Sequence, residues 1–125
     1  MGDARMANLI ERDGEVVALV DWELANVGNP RADIAYHLYM DGRFARVAGW
    51  RLSGLPTGDE TWRRWEERTG LTATDRTYWT VFAALIISVT ATRAMRIDYG
   101  FEPGAIEGLN PFAADVALLL DGKEL

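Results

Sequence analysis

Apolar and polar positions divide the chain into one hairpin and a series of helices. Asn8 to Val20 reads Asn-Leu-Ile-Glu-Arg-Asp-Gly-Glu-Val-Val-Ala-Leu-Val. Asp13-Gly14 separates two runs of strand character, a strong signal for a tight hairpin turn. Val16 to Val20 is apolar without alternation, which predicts a second strand buried on both faces. Asn29 followed by Pro30 predicts a helix start, with the helix running to about Met40 and stopping at Asp41-Gly42. Residues 43–56 carry Phe44, Val47, Trp50 and Leu52, which favour burial. Gly49, Gly54 and Pro56 interrupt them, so a partly ordered connector is expected.

Thr57-Gly58-Asp59-Glu60 has capping-box spacing. The helix it opens places Trp62 and Trp65 on one face, with Arg63, Arg64 and Glu67 elsewhere, and Gly70 closes it. The longest helix is predicted from Thr74 to about Tyr99, with Tyr78, Phe82, Leu85, Val89 and Ile97 on its buried face. A Gly/Pro-rich loop, 101–108, leads to Asn110-Pro111. There a short last helix begins, carrying Phe112, Val116, Leu119 and Leu120, and Gly122 ends it. The expected fold class is α+β, mainly α: an N-terminal β-hairpin followed by about four helices.

Composition narrows the function. A chain of 125 residues with 49% apolar and 26% charged residues holds one domain. A net charge of −6 disfavours sequence-independent nucleic-acid binding and anionic membrane surfaces. No cysteine is present and there is one histidine, so thiolate chemistry and multi-histidine zinc sites are excluded. The longest apolar run, Val81 to Ala91, stops short of the ~18 residues a membrane helix needs. No apolar signal region leads the chain, and a cytoplasmic location is expected.

The candidate chemistry lies in the first 33 residues. A hairpin brings its ends together, so Asn8 and Asp21 are expected as neighbours, with Asp3 in the loop leading in and Glu23 just beyond. Oxygen ligands at strand ends suit a hard cation such as Mg²⁺. Phosphoryl transfer needs that ion and a carboxylate placed to take a hydroxyl proton. Spacing alone favours reading Asp3, Asn8 and Asp21 as loop caps around a hairpin.

Three strings together go further. Gly2-Asp3-Ala4-Arg5-Met6-Ala7-Asn8, then Val20-Asp21-Trp22-Glu23-Leu24-Ala25, then Gly28-Asn29-Pro30-Arg31-Ala32-Asp33-Ile34-Ala35 resemble the aminoglycoside phosphotransferase family. Its protein-kinase-like fold carries H-G-D-x-x-x-x-N, then I-D-[WF]-[EG]-x-A, then G-[DN]-P-x-x-D-L-A. The segment from Pro56 to Gly70 and the long aromatic-rich helix resemble the branch of that family fused to acyl-CoA dehydrogenases. The resemblance implies that Asp3 orients or deprotonates the acceptor hydroxyl. Asn8 and Asp21 would bind Mg²⁺, and Glu23 would support the metal or act as a cap. Asp33 would hold the catalytic loop through backbone N–H groups. The implied activity moves the γ-phosphate of ATP to a hydroxyl of a small molecule, an aminoglycoside, a hydroxyacyl thioester or another acceptor.

The pattern also departs from the family. Met1 stands where the family has His, and no Gly-rich phosphate loop precedes it. Lys123, the one lysine, cannot fill the place of the family's phosphate-binding lysine. The resemblance therefore implies a partial C-terminal lobe, with catalytic loop and metal-binding hairpin in 1–33 and a helical subdomain in 34–125. The nucleotide lobe would be absent, and the isolated chain inactive. The alternative is a non-catalytic binding or assembly module derived from that lobe. Either form is expected to homodimerise through apolar surface that the upper lobe covers in the family. His37, Trp62 and Trp65 read as core, although later helices in the family also line the acceptor pocket. Arg93 and Arg96 read as a solvated face, with an anionic substrate as the other account. Tyr99 and Phe101 are open between core and site.

Overall fold

A computed structural model describes residues 1–123 and 125. The chain forms two compact units, Met1–Arg76 and Thr77–Leu125. The first opens with a 3₁₀ turn, Met6–Asn8, and an antiparallel hairpin of β1 (Leu9–Arg12) and β2 (Glu15–Leu19). Leu9 faces Leu19 and Arg12 faces Glu15, with a register irregularity between Ile10 and Glu11. Asp13 and Gly14 both take positive φ, 54° and 85°. That pair of angles gives the mirror-image turn whose twist matches the strands. The Glu11 carboxylate accepts the Gly14 N–H and closes it.

The hairpin corrects one expectation. Val16, Val17 and Leu19 are exposed rather than buried on both faces. A strand is covered only when a second layer lies over it, and two strands alone supply none.

Helix α1 runs Arg31–Ala48, well past the expected stop at Asp41-Gly42. Gly42 stays within the helix, where it costs roughly 1 kcal/mol relative to alanine. The helix ends at Gly49, which is left-handed (φ 74°) and donates to Ala45 O at 2.9 Å. Ile34, Ala35, Tyr36, Tyr39 and Met40 are its buried residues. Phe44, Val47, Trp50 and Leu52 are exposed, against expectation. Polar ties hold the connector instead. The Arg51 guanidinium pairs with Asp41 Oδ2 (2.7 Å) and donates to the carbonyls of Leu55 and Pro56.

Helix α2, Gly58–Thr69, begins with the full capping box: Thr57 N donates to Glu60 Oε2 (2.8 Å) and Glu60 N to Thr57 Oγ1 (3.2 Å). Gly70, φ 70°, ends it. Trp62 is buried and meets Trp65 edge to face at 5.7 Å. Arg31 lies over the Trp65 ring, and its Nε donates to Thr72 O at 2.8 Å, tying the start of α1 to the segment after α2.

The second unit comprises α3 (Arg76–Ile97, its first residue in the other unit), α4 (Pro103–Leu109) and α5 (Pro111–Leu120). Helix α4 occupies the stretch expected as a loop. Pro103 sits in its first turn, where a missing N–H costs nothing. Among the described residues the hairpin is followed by five helices, so the expected fold class, α+β and mainly α, holds.

Asn110 organises this unit. Its Oδ1 accepts from Phe112 N and Ala113 N, capping α5. Its Nδ2 donates to Ser88 O (2.9 Å) and Thr92 Oγ1 (2.8 Å) on α3. Ala84, Ser88 and Thr92 recur every four residues, so Asn110 meets α3 on the stripe that also carries Ala84. Ala83, Ala84 and Ser88 are accordingly the buried residues of α3, whereas Tyr78, Leu85, Val89 and Ile97 are exposed. The expected large-residue face is thus corrected to a small-residue one. An 18-residue window of α3 has mean hydropathy 1.4, long and apolar enough to cross a membrane by composition alone. Averaging over the window absorbs Thr and Arg positions that end the uninterrupted run.

Candidate active site

The segment Met1–Asn8 has little regular structure, yet Asp3 and Asn8 are 7% and 5% exposed. Buried polar groups require partners, and these two supply each other. Asn8 Nδ2 donates to Asp3 Oδ2 at 2.9 Å and to Asp3 O at 3.0 Å. Arg5 Nε forms an ion pair with Asp3 Oδ2 at 2.9 Å. Asp3 Oδ1 is enclosed and receives no donor from Asn8 or the main chain. The Tyr36 phenol on α1 adjoins the same carboxylate. Burial, and then hydrogen bonding to Asp3, hold its pKa well above the ordinary tyrosine range. Tyr36 is therefore a neutral hydroxyl at any working pH.

The start of the segment is anchored to α1. Asp33 Oδ1 accepts Gly2 N at 2.8 Å, and Asp33 Oδ2 takes the Met1 nitrogen at 2.7 Å. Gly2 has φ 91°, and a Cβ there would lie 2.1 Å from Leu24 O. Only glycine allows the loop to lie so close to the chain that leaves the hairpin.

On the hairpin side, Val20 N donates to Asn8 O at 3.0 Å. Asp21 follows at once, in left-handed conformation (φ 61°), and is exposed. Trp22 Nε1 donates to Leu19 O and Ala25 N to Trp22 O, folding 19–25 into a turn. Glu23 is exposed on that turn. The structure thus brings Asp3 and Asn8 into direct contact and ties Asp33 to the loop backbone. It sets Asp21 one residue beyond the main-chain bond to Asn8. Glu23 makes no hydrogen bond or ion pair with Asp3, Asn8 or Asp21. Among the described residues, no group of three or more His, Cys, Asp or Glu could hold a metal ion by itself.

This donor set fits a metal that arrives on phosphate rather than one caged by protein. Mg²⁺ is commonly held by one or two carboxylates plus substrate phosphates. With Nδ2 committed to Asp3, the amide of Asn8 has only Oδ1 left to offer. Asp21, exposed on the turn after β2, would be the carboxylate of such a site.

A cavity of about 580 Å³ adjoins the loop within the first unit. Its ionisable lining residues are Arg5, Asp33, His37, Arg64 and Arg68, with Thr61, Thr69 and Trp65 among the others. His37 and Trp65, read from sequence as core, are partly exposed and line this space. Arg64 and Arg68 escaped the sequence reading because charged residues on a helix ordinarily mark its solvated face. Their spacing, with Trp65 between them, was the available signal.

A kinase-like class is what this loop and hairpin define, and comparison with known proteins agrees. The family model described as "Phosphotransferase enzyme family" matches residues 2–68. The chain belongs to that family. It is also similar to a protein of Mus musculus named acyl-CoA dehydrogenase family member 10, with 34% identity over 93 residues. That match covers 66% of this chain and 8% of the mouse protein. The similarity is consistent with the branch of the family fused to acyl-CoA dehydrogenases.

Proposed function

We propose that this chain contributes the catalytic loop and metal-binding hairpin of an ATP-dependent phosphotransferase acting on a hydroxyl of a small molecule. The observation that carries the reading is the buried Asn8–Asp3 pair. One amide fixes both the main chain and the carboxylate of Asp3, leaving its own oxygen for a cation. Asp3 takes the proton of the acceptor hydroxyl, using oxygen capacity that the loop does not consume. Asn8 Oδ1 and Asp21 would hold Mg²⁺, and Asp33 keeps the loop in place through Gly2 N. When bound, Mg²⁺ on ATP neutralises charge on the phosphoryl group being transferred. Glu23 is assigned to the turn after β2, where it would support the metal from outside its immediate ligands.

The test uses the full-length protein, radiolabelled ATP and a panel of hydroxyl compounds. Asp3→Asn should reduce transfer by roughly 10²-fold or more, the usual worth of a positioned general base. Asp21→Asn should abolish the Mg²⁺ dependence together with the activity. Transfer undiminished in both variants would overturn the reading.

A further inference from the structure

We infer that the cavity beside the catalytic loop is an anion-recognition site, and that the phosphate acceptor carries a carboxylate or phosphate group that Arg64 and Arg68 bind. This rests on the phosphotransferase reading and names the substrate class of the same site.

The argument begins with charge balance. Six more acidic than basic residues make the chain anionic as a whole, so arginines without an ion-pair partner stand out, even with Glu60 one turn before Arg64 feeling its charge. Three arginines line this one cavity, Arg5, Arg64 and Arg68. Arg5 is neutralised by Asp3 at 2.9 Å. Asp33 is the cavity's one acidic residue, and it is committed to the Met1 and Gly2 nitrogens. Arg64 and Arg68 form no ion pair with another described residue. By contrast, Arg63 on the same helix pairs with Glu67 at 2.6 Å and lies off the lining.

Position supports the same conclusion. Arg64 and Arg68 are one helical turn apart, so their guanidinium groups share a face of α2. Guanidinium forks match planar oxyanions with two parallel hydrogen bonds. Trp65 adds a flat apolar wall, and His37 a further donor from α1. Arg5 contributes to the wall while bonded to Asp3. An acceptor held by its anionic end at Arg64 and Arg68 would therefore lie beside the residue next to Asp3. A cationic amino sugar would meet repulsion in the same space.

The experiment titrates the chain with 6-hydroxyhexanoate and with its neutral methyl ester, by calorimetry, with and without MgATP. The carboxylate should bind saturably, more weakly as salt is raised, and at least roughly tenfold more tightly than the ester, as expected for charge-assisted hydrogen bonds. Arg64→Gln with Arg68→Gln should remove that preference. Arg64→Lys with Arg68→Lys should restore part of it, and Arg63→Gln should leave it intact. Circular dichroism checks that each variant retains its helices. Equal binding of acid and ester, no binding of either, or an unaffected double Gln variant would overturn the inference. Competitive displacement of the acid by MgATP would also overturn it, by placing the arginines in the nucleotide site.

Failure of this inference is separable from failure of the phosphotransferase reading. Acid binding that depends on both arginines, without phosphate transfer by the full-length protein, sinks only the reading. Transfer that favours neutral or cationic acceptors sinks only the anion site.

Discussion

Asn8 Nδ2 lies within hydrogen-bond distance of two oxygens of one residue, the main-chain and side-chain oxygens of Asp3, at 3.0 and 2.9 Å. A single planar amide thereby sets both where that residue's backbone lies and where its carboxylate points. Asn8→Ala strips a buried carboxylate of a donor, a loss of about 1–3 kcal/mol. Urea unfolding of the chain should register that loss. Phosphate transfer by the full-length protein should fall further than stability explains, because the oxygen assigned to the cation goes with the amide. An Asn8→Ala protein of unchanged stability would show that the pair does not hold the loop.

Gly2→Ala should be destabilising by more than the ~1–3 kcal/mol of an ordinary left-handed penalty. The new Cβ would also collide with Leu24 O at 2.1 Å. Asp33→Ala should leave Gly2 N without its acceptor, so hydrogen exchange at Gly2 should quicken. Slow exchange there in the variant would mean that another group anchors the loop.

Asn110→Ala removes a helix cap, typically worth about 1 kcal/mol, together with its bonds to Ser88 and Thr92. Asn110→Ser keeps a capping oxygen and loses those bonds, so its stability should fall between the two. Exchange of the Phe112 and Ala113 amides should accelerate in the alanine variant and much less in the serine variant. Equal acceleration in both would assign the effect to the contact with α3 alone.

The Glu60 carboxylate is held below the ordinary glutamate range, first by the Thr57 backbone N–H and then by the Thr57 hydroxyl. Because its folded pKa is depressed, the capping box contributes fully above the unfolded pKa. That contribution is lost as pH falls through the lower folded value. A carbon-detected NMR titration should place Glu60 below the ordinary glutamate range. Thr57→Ala should raise it part of the way back, since the backbone donor remains. No movement in the variant would remove the hydroxyl from the account.

What was legible in the sequence was local. Asp13-Gly14, the box Thr57 to Glu60, Gly70 and Asn110-Pro111 act over a few residues, and each marks an observed boundary. What was not legible depended on distant partners. Gly42 reads as a stop but lies within α1, because a glycine ends a helix only where the chain turns left-handed. The covered stripe of α3 carries small residues, and its Ser88 meets Asn110 on another element, so the apolar periodicity of α3 could not reveal it. At the site, residue types and order pointed to Asp3, Asn8, Asp21 and Asp33. The cavity escaped notice because it is assembled from α1, α2 and the loop, and no one of them carries its pattern.

The approach of Gly2 to Leu24 also sets unequal freedom to vary at the two ends of one contact. The nearest atom facing Gly2 is a main-chain oxygen, which every amino acid possesses. Position 24 can therefore change its side chain across related sequences without disturbing the contact. Position 2 has no such latitude. In a mutational scan, tolerance should be near zero at position 2 and broad at position 24, although the two residues share one interface.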